Sequence, residues 1–148
     1  MRKIIIFLNI LLMWFIGVVF CPFDVGFYLS LNIPKIVPNS SFIGIIWIII
    51  YILNSICIYK LLKNYELNND YYFILILNYI FCESFPLFFF YFHNLFLSLI
   101  SCIVIFITSI FLILETKKIN KNYSYYLYPY TIWSFISLTL FIIIYIIN

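Results

Sequence analysis

Five long apolar stretches, parted by short polar or proline-bearing segments, organise this chain of 148 residues. They run from Ile4 to Phe20, Phe42 to Leu62, Tyr71 to Phe92, Leu95 to Leu114 and Pro129 to Ile147. Apolar runs of about 17–25 residues match a hydrocarbon core about 30 Å thick. None alternates strictly between apolar and polar positions, so the signature of a barrel strand is missing. Many of the residues are β-branched, which favours strands in water. In lipid each backbone N–H needs a partner inside its own segment, so runs this long predict helices. The expected fold is all-α: a five-transmembrane-helix bundle forming one membrane domain over residues 1–148.

The first stretch also has the outline of a secretory leader, since Arg2 and Lys3 precede it. It is long for a leader's apolar core, no A-x-A-like cleavage site follows, and Phe20 stands before Cys21 where a lipoprotein site needs a small residue. It is read as a retained helix. The cations fix the expected orientation. Arg2, Lys3, Lys60, Lys63, Lys117, Lys118 and Lys121 fall on one side of a five-helix thread, and only Lys35 on the other. Lysine- and arginine-rich short loops stay cytoplasmic. The N-terminus is therefore expected in the cytoplasm, with the C-terminus and the first loop opposite. That loop, residues 21–41, holds Pro22, Pro34 and Pro38 and is long for a helix connection, so it is expected either to form a lid over one mouth of the bundle or to be a loosely structured tether.

Composition agrees with lipid as the solvent: 67% of residues are hydrophobic and 9% charged, against about 25% charged in ordinary soluble domains. The net charge of +3 is accounted for by topology and calls for no nucleic acid or other acidic partner. Cys21, Cys57, Cys82 and Cys102 are scattered without a CxxC pair, so no metal centre or cofactor is expected, and they read as small packed residues. No nucleophile–base pair or phosphate loop is visible.

Polar and aromatic residues inside the apolar runs are the candidates for chemistry. Trp47 and Tyr51 are four apart and share a helix face, a flat wall with two polar handles that suits a planar ring system, or an interfacial anchor. Trp133 with Tyr130 repeats the pair in the last stretch. Asn78 and Glu83 are costly in hydrocarbon and should face protein or a cavity. Five residues apart, they point about 140° away from each other. Asn78 is expected to bond a neighbouring helix, and Glu83 either to be structural or to serve a cavity. His93 reads as a hydrogen-bonding turn residue. Ser98, Ser101, Cys102, Thr108 and Ser109 make a run of small residues suited to close packing within the chain or to a homodimer seam.

The segment YLSLNIPKIVPNSSFIGIIWIIIYILNSICIY from Tyr28 resembles the signature region of the TspO/MBR family, the tryptophan-rich sensory proteins and mitochondrial translocator proteins. Tyr28, Leu31, Pro34, Pro38, Trp47, Tyr51 and Tyr59 fall at the family's spacing without a gap. PYTIWSF from Pro129 resembles the family's P-Y-x-x-W opening of helix 5, and the chain ends on an Asn as the family tends to. Ile36 and Asn39 replace the family's loop Trp and second Pro. In the third stretch, Leu75, Leu77 and Asn78 fit one register of the family pattern, while Phe89, Phe90, His93 and Asn94 fit another one turn away.

The resemblance implies a membrane receptor or carrier for flat hydrophobic molecules, with porphyrins foremost. The expected ligand-binding residues are Trp47, Tyr51, Tyr28, Pro34, Pro38, Asn78 and Trp133. Sterols are a second implied ligand, although the proposed sterol motif lacks its Lys or Arg after Tyr145. Two rivals stand beside this reading: an enzyme degrading porphyrin with light or oxygen, and a non-binding scaffold that keeps the fold.

Overall fold

Asparagines between the apolar stretches become helix caps. Asn39, Asn68, Asn94 and Asn120 each accept a backbone N–H in the first turn of the helix that follows, at 2.8–2.9 Å. This is the position where a short polar side chain replaces the missing intrahelical partner. The computed structural model describes residues 2–148; Met1 and the side chain of Arg2, one of the cations counted above, lie outside the described residues. In chain order the helices are α1 (Arg2–Met13), α2 (Ile16–Phe20), α3 (Val25–Ser30), α4 (Ser40–Asn64) and α5 (Asn69–Pro86), the last continuing as a π-helical turn over Leu87–Tyr91. Then come α6 (Leu95–Ile119), α7 (Lys121–Ser124), a 3₁₀ turn over Tyr125–Leu127, and α8 (Tyr128–Ile147). No strand occurs among the described residues.

Four of these helices are long and apolar enough to cross a membrane: Ser40–Asn64, Asn69–Tyr91, Leu95–Ile119 and Lys121–Ile147, with a shorter apolar helix over Lys3–Met13. The first apolar stretch departs from the single helix expected over 4–20, because it breaks at Trp14 and Phe15. Trp14 N–H donates to the Leu11 carbonyl and Phe15 N–H to that of Leu12, the tighter pattern of a closing 3₁₀ turn. α6 runs five residues past the expected Leu114, carried by Lys117 and Lys118 in its last turn, where cations complement the helix dipole. Pro86 removes a backbone donor from α5, and the helix widens just after it: Phe92 N–H reaches back five residues to the Leu87 carbonyl at 3.0 Å.

The two residue sets of the third stretch fall on either side of the start of that wide turn. Asn78 is buried in the core before the turn, and Phe89 is buried within it. Asn78 is the hub of the bundle. Its side-chain N–H groups reach Thr108 Oγ1 at 2.8 Å and the Ile105 carbonyl at 3.3 Å, and its Oδ1 accepts from the Tyr130 hydroxyl at 2.9 Å. One amide thus ties α5 to α6 and α8. The small residues Ser98, Ser101 and Ser109 of α6 are fully buried against the chain itself. Close packing within the chain uses them.

Candidate functional site

A cavity of about 420 Å³ opens among the helices at the end of the bundle that bears the long loop. α4 supplies Ile43, Gly44, Trp47 and Tyr51, and α8 supplies Trp133, Leu140 and Phe141. α5 gives Phe85 and its wide turn Phe89 and Phe90, while Phe15 and Val18 come from the broken first stretch. The loop closes over them with Phe23, Tyr28 and Val37. No Asp, Glu, Lys or Arg is among the lining residues.

The aromatic wall follows from helix periodicity. Trp47 and Tyr51 lie one turn apart with ring centroids at 5.6 Å, and Tyr51 in turn stacks on Trp14 at 5.6 Å and 14°. Trp14, buried to 3% exposure, backs the wall and is absent from the lining. Trp133 is buried, lines the cavity, and its indole N–H has no partner among the described residues. A buried donor without a partner is uncommon and marks a place where a guest can supply one.

The lid expected over residues 21–41 is an ordered loop tied at two places. Asp24 caps α3 by accepting Phe27 N–H at 2.9 Å, and its other oxygen lies 3.1 Å from His93 Nε2. The Phe27 ring stacks on His93 at 4.1 Å. His93 adopts a left-handed backbone, φ 50°, which the two-residue turn into α6 requires. Midway along the loop Asn32 N–H donates to Asn148 Oδ1 at 2.7 Å, and Asn148 Nδ2 donates back to the Asn32 carbonyl at 3.2 Å. The Phe27 amide, and after it the His93 hydrogen bond and charge, hold the Asp24 carboxyl below the usual carboxylate range. Burial pushes the Tyr28 phenol up.

Of the expected site residues, Trp47, Tyr51, Tyr28 and Trp133 converge on this cavity. Asn78 does not line it; its amide is committed to Thr108, Ile105 and Tyr130 beneath the floor. Pro34 and Pro38 stay in the loop outside the lining, although Val37 between them reaches it. Sequence reasoning missed the contribution of the first stretch, the three cysteines Cys21, Cys82 and Cys102 in the lining, and the Asp24–His93 clasp. The only forward signal of the clasp was a carboxylate three residues before an aromatic, the spacing of a helix cap.

A helical membrane bundle with an aromatic-lined internal cavity is the class of protein that fold and site define. The sequence pattern described as the TspO/MBR family matches residues 5–146, and the chain belongs to that family. It is 32% identical over 133 residues to the Tryptophan-rich protein TspO of Bacillus cereus, covering 89% of this chain and 87% of that one. It is 34% identical over 115 residues to the Uncharacterized membrane protein YtaB of Bacillus subtilis, covering 76% and 74% respectively.

Proposed function

We propose that the chain is a membrane receptor or carrier that binds flat hydrophobic molecules in the aromatic cavity, porphyrins foremost. The observation that carries this reading is the cavity itself: about 420 Å³, walled by Trp47, Tyr51 and Trp133, roofed by Tyr28, and free of charged side chains. Ligand pockets for drug-sized molecules have this size and this apolar, aromatic character with a few polar handles. A porphyrin would lie against the Trp47–Tyr51 wall and offer an acceptor to Trp133. Its acid groups would leave by the mouth near Val37, two residues from Lys35.

In this reading the chain threads the bilayer five times, α1 and α2 together making the first crossing. A straight helix over residues 2–20 would rise about 28 Å at 1.5 Å per residue, close to the hydrocarbon thickness, and α1 and α2 divide that length between them. The lysine-rich ends of α4 and α6 face the cytoplasm and the loop faces outward.

Titrating the protein in liposomes with protoporphyrin, read by tryptophan quenching, tests the proposal. Saturation at or below tens of micromolar is expected, and a flat curve would leave the scaffold reading in its place. Porphyrin degradation is favoured by one observation, the two indoles of Trp47 and Trp133 on the same cavity. Loss of porphyrin absorbance under light and oxygen, abolished in Trp47→Phe, would support it; an unchanged spectrum would remove it.

A further inference from the structure

The break in the first apolar stretch is repaired by two side chains from another helix. In a continuous helix Gly17 N–H would donate to the Met13 carbonyl, four residues back. Here that bond is open. The Met13 carbonyl accepts instead from the Tyr79 hydroxyl at 3.0 Å, and Gly17 N–H donates to a Glu83 carboxyl oxygen. Tyr79 and Glu83 are themselves four apart on α5, so they present one face and reach both halves of the broken pair. Only glycine fits at position 17: a Cβ there would come within 2.5 Å of the Glu83 backbone oxygen. The second oxygen of Glu83 is buried with no partner among the described residues.

The segment held in this way is thin. α2 has five residues, and Gly17 is its one buried residue; Ile16, Val18, Val19 and Phe20 are all exposed. It stands between two spaces. Phe15 and Val18 face the main cavity, whereas Ile16, Gly17 and Phe20 border a second hollow of about 360 Å³ with Ile80, Glu83 and Leu87 of α5 and its wide turn. Cys21, at the end of α2, belongs to both. Ile16, Phe20 and Ile80 are 42%, 78% and 51% exposed, so the outer hollow opens on the apolar surface of the bundle. Trp14 fixes the hinge side of the panel by its stack on Tyr51. Past its other end the chain enters the long loop, where Asp24 meets His93 without touching α2 itself.

We propose that α2 is a side door between the bilayer and the main cavity, latched by Tyr79 and Glu83, through which a membrane-dissolved ligand reaches its site. Flat apolar molecules partition into the hydrocarbon layer, so a lateral route spares them a passage through water and through the clasped loop. Tyr79 and Glu83 are positioning residues in this scheme. They hold the panel shut by its exposed backbone groups, and releasing either bond lets it swing about Trp14. An intrahelical bond would have stiffened the hinge; a bond to a side chain can be exchanged without unwinding the helix.

The proposal rests on the binding reading above, and stopped-flow quenching separates the two. Protoporphyrin preloaded in liposomes is mixed with proteoliposomes of wild type, Tyr79→Phe, Glu83→Ala, Glu83→Gln and Asp24→Ala. Tyr79→Phe and Glu83→Ala are expected to raise uptake and release rates together by about tenfold, the effect of one lost hydrogen bond on a barrier, with affinity within about twofold. Glu83→Gln keeps an oxygen for Gly17 N–H and should match wild type, as should Asp24→Ala. Tyr79→Phe removes a single oxygen atom, so it keeps the test alive if Glu83→Ala fails to fold. Wild-type rates in Tyr79→Phe, or faster exchange in Asp24→Ala alone, would overturn the side door and place the route through the loop. No binding by wild type would overturn both readings, whereas saturable binding with unchanged rates would overturn only this one.

Discussion

The two ends of the bundle use the same helices and pack them in opposite ways. On the lysine-rich side of Asn78, Cys57, Leu61 and Tyr71 are completely buried, and Ser55, Thr116 and Ser124 lie between the helices with no exposure at all. Small side chains let backbones approach, so little space is left. On the loop side α6 still packs through the buried Ser98 and Ser101, but between α5 and α8 the contacts are ring against ring: Phe85 stacks on Phe89 at 5.6 Å, and Phe89 meets Phe141 edge-on at 5.4 Å. Rings prop α5 and α8 apart, and the 420 Å³ cavity is the result. The difference teaches that cohesion and open cavity space are assigned to different residues, with Asn78 at the boundary. Substitutions should therefore separate stability from binding.

The largest effect is expected at the boundary. Asn78→Ala leaves the buried Tyr130 hydroxyl without its partner and removes a donor from Thr108, whose hydroxyl keeps its bond to the Val104 carbonyl. Interhelical bonds in membrane proteins average about 0.6 kcal/mol and reach about 1.7, so losing three should cost about 2 kcal/mol. Reversible unfolding in detergent measures it. Protoporphyrin affinity per folded molecule should stay within about twofold, because the amide does not line the cavity. Unchanged stability with lost binding would move Asn78 into the site and break the comparison.

The opposite pattern is expected at Gly44. It lines the cavity, and a Cβ there would meet nothing within 4 Å. Gly44→Leu should add up to about 1 kcal/mol of helix propensity while its side chain competes with the ligand. A melting temperature equal to or above wild type, together with an affinity about tenfold weaker, is the expected result; about tenfold corresponds to 1.4 kcal/mol of binding. Equal affinity would mean that the ligand does not lie against α4.

How much of this was legible in the sequence follows the same divide. Apolar length gave the long helices to within a few residues, because hydrocarbon thickness and backbone satisfaction leave a helix few alternatives. The Trp47–Tyr51 wall was legible too, since a spacing of four fixes a shared face. The break at Trp14 was not: it depends on Tyr79 and Glu83, more than sixty residues away, taking over the Met13 and Gly17 backbone groups. Asn78 was expected both to bond a neighbouring helix and to line the site; its amide bonds α6 and α8 and stays outside the lining, because hydropathy carries no information on which side of a helix meets the cavity. Pro34 and Pro38 set the course of the loop without turning inward, as rigid backbone residues can.

The smallest effect concerns the loop, whose two clasps differ in one respect: Asp24–His93 contains a carboxylate and Asn32–Asn148 does not. In the folded loop Asp24 is held below the ordinary aspartate value of about 3.9. A carboxyl lowered on folding contributes in full above its unfolded value and loses that contribution as pH falls through the lower folded one. Amide exchange at Phe27, the residue Asp24 caps, should therefore stay slow from neutrality down to about pH 4 and quicken only below it. In Asp24→Ala the same amide should exchange several-fold faster at every pH, because the cap is gone. The Asn32 amide, held by Asn148 Oδ1, should show no step in this window, and Asn148→Ala should quicken it alike at all pH values. Nuclear magnetic resonance of the protein in nanodiscs reads both amides at once. A step at Asn32 matching that at Phe27 would mean that the loop opens as one unit, with the carboxylate commanding both ends. Independent behaviour would mean two separate fastenings, which leaves the middle of the loop in place while the end next to α2 is released.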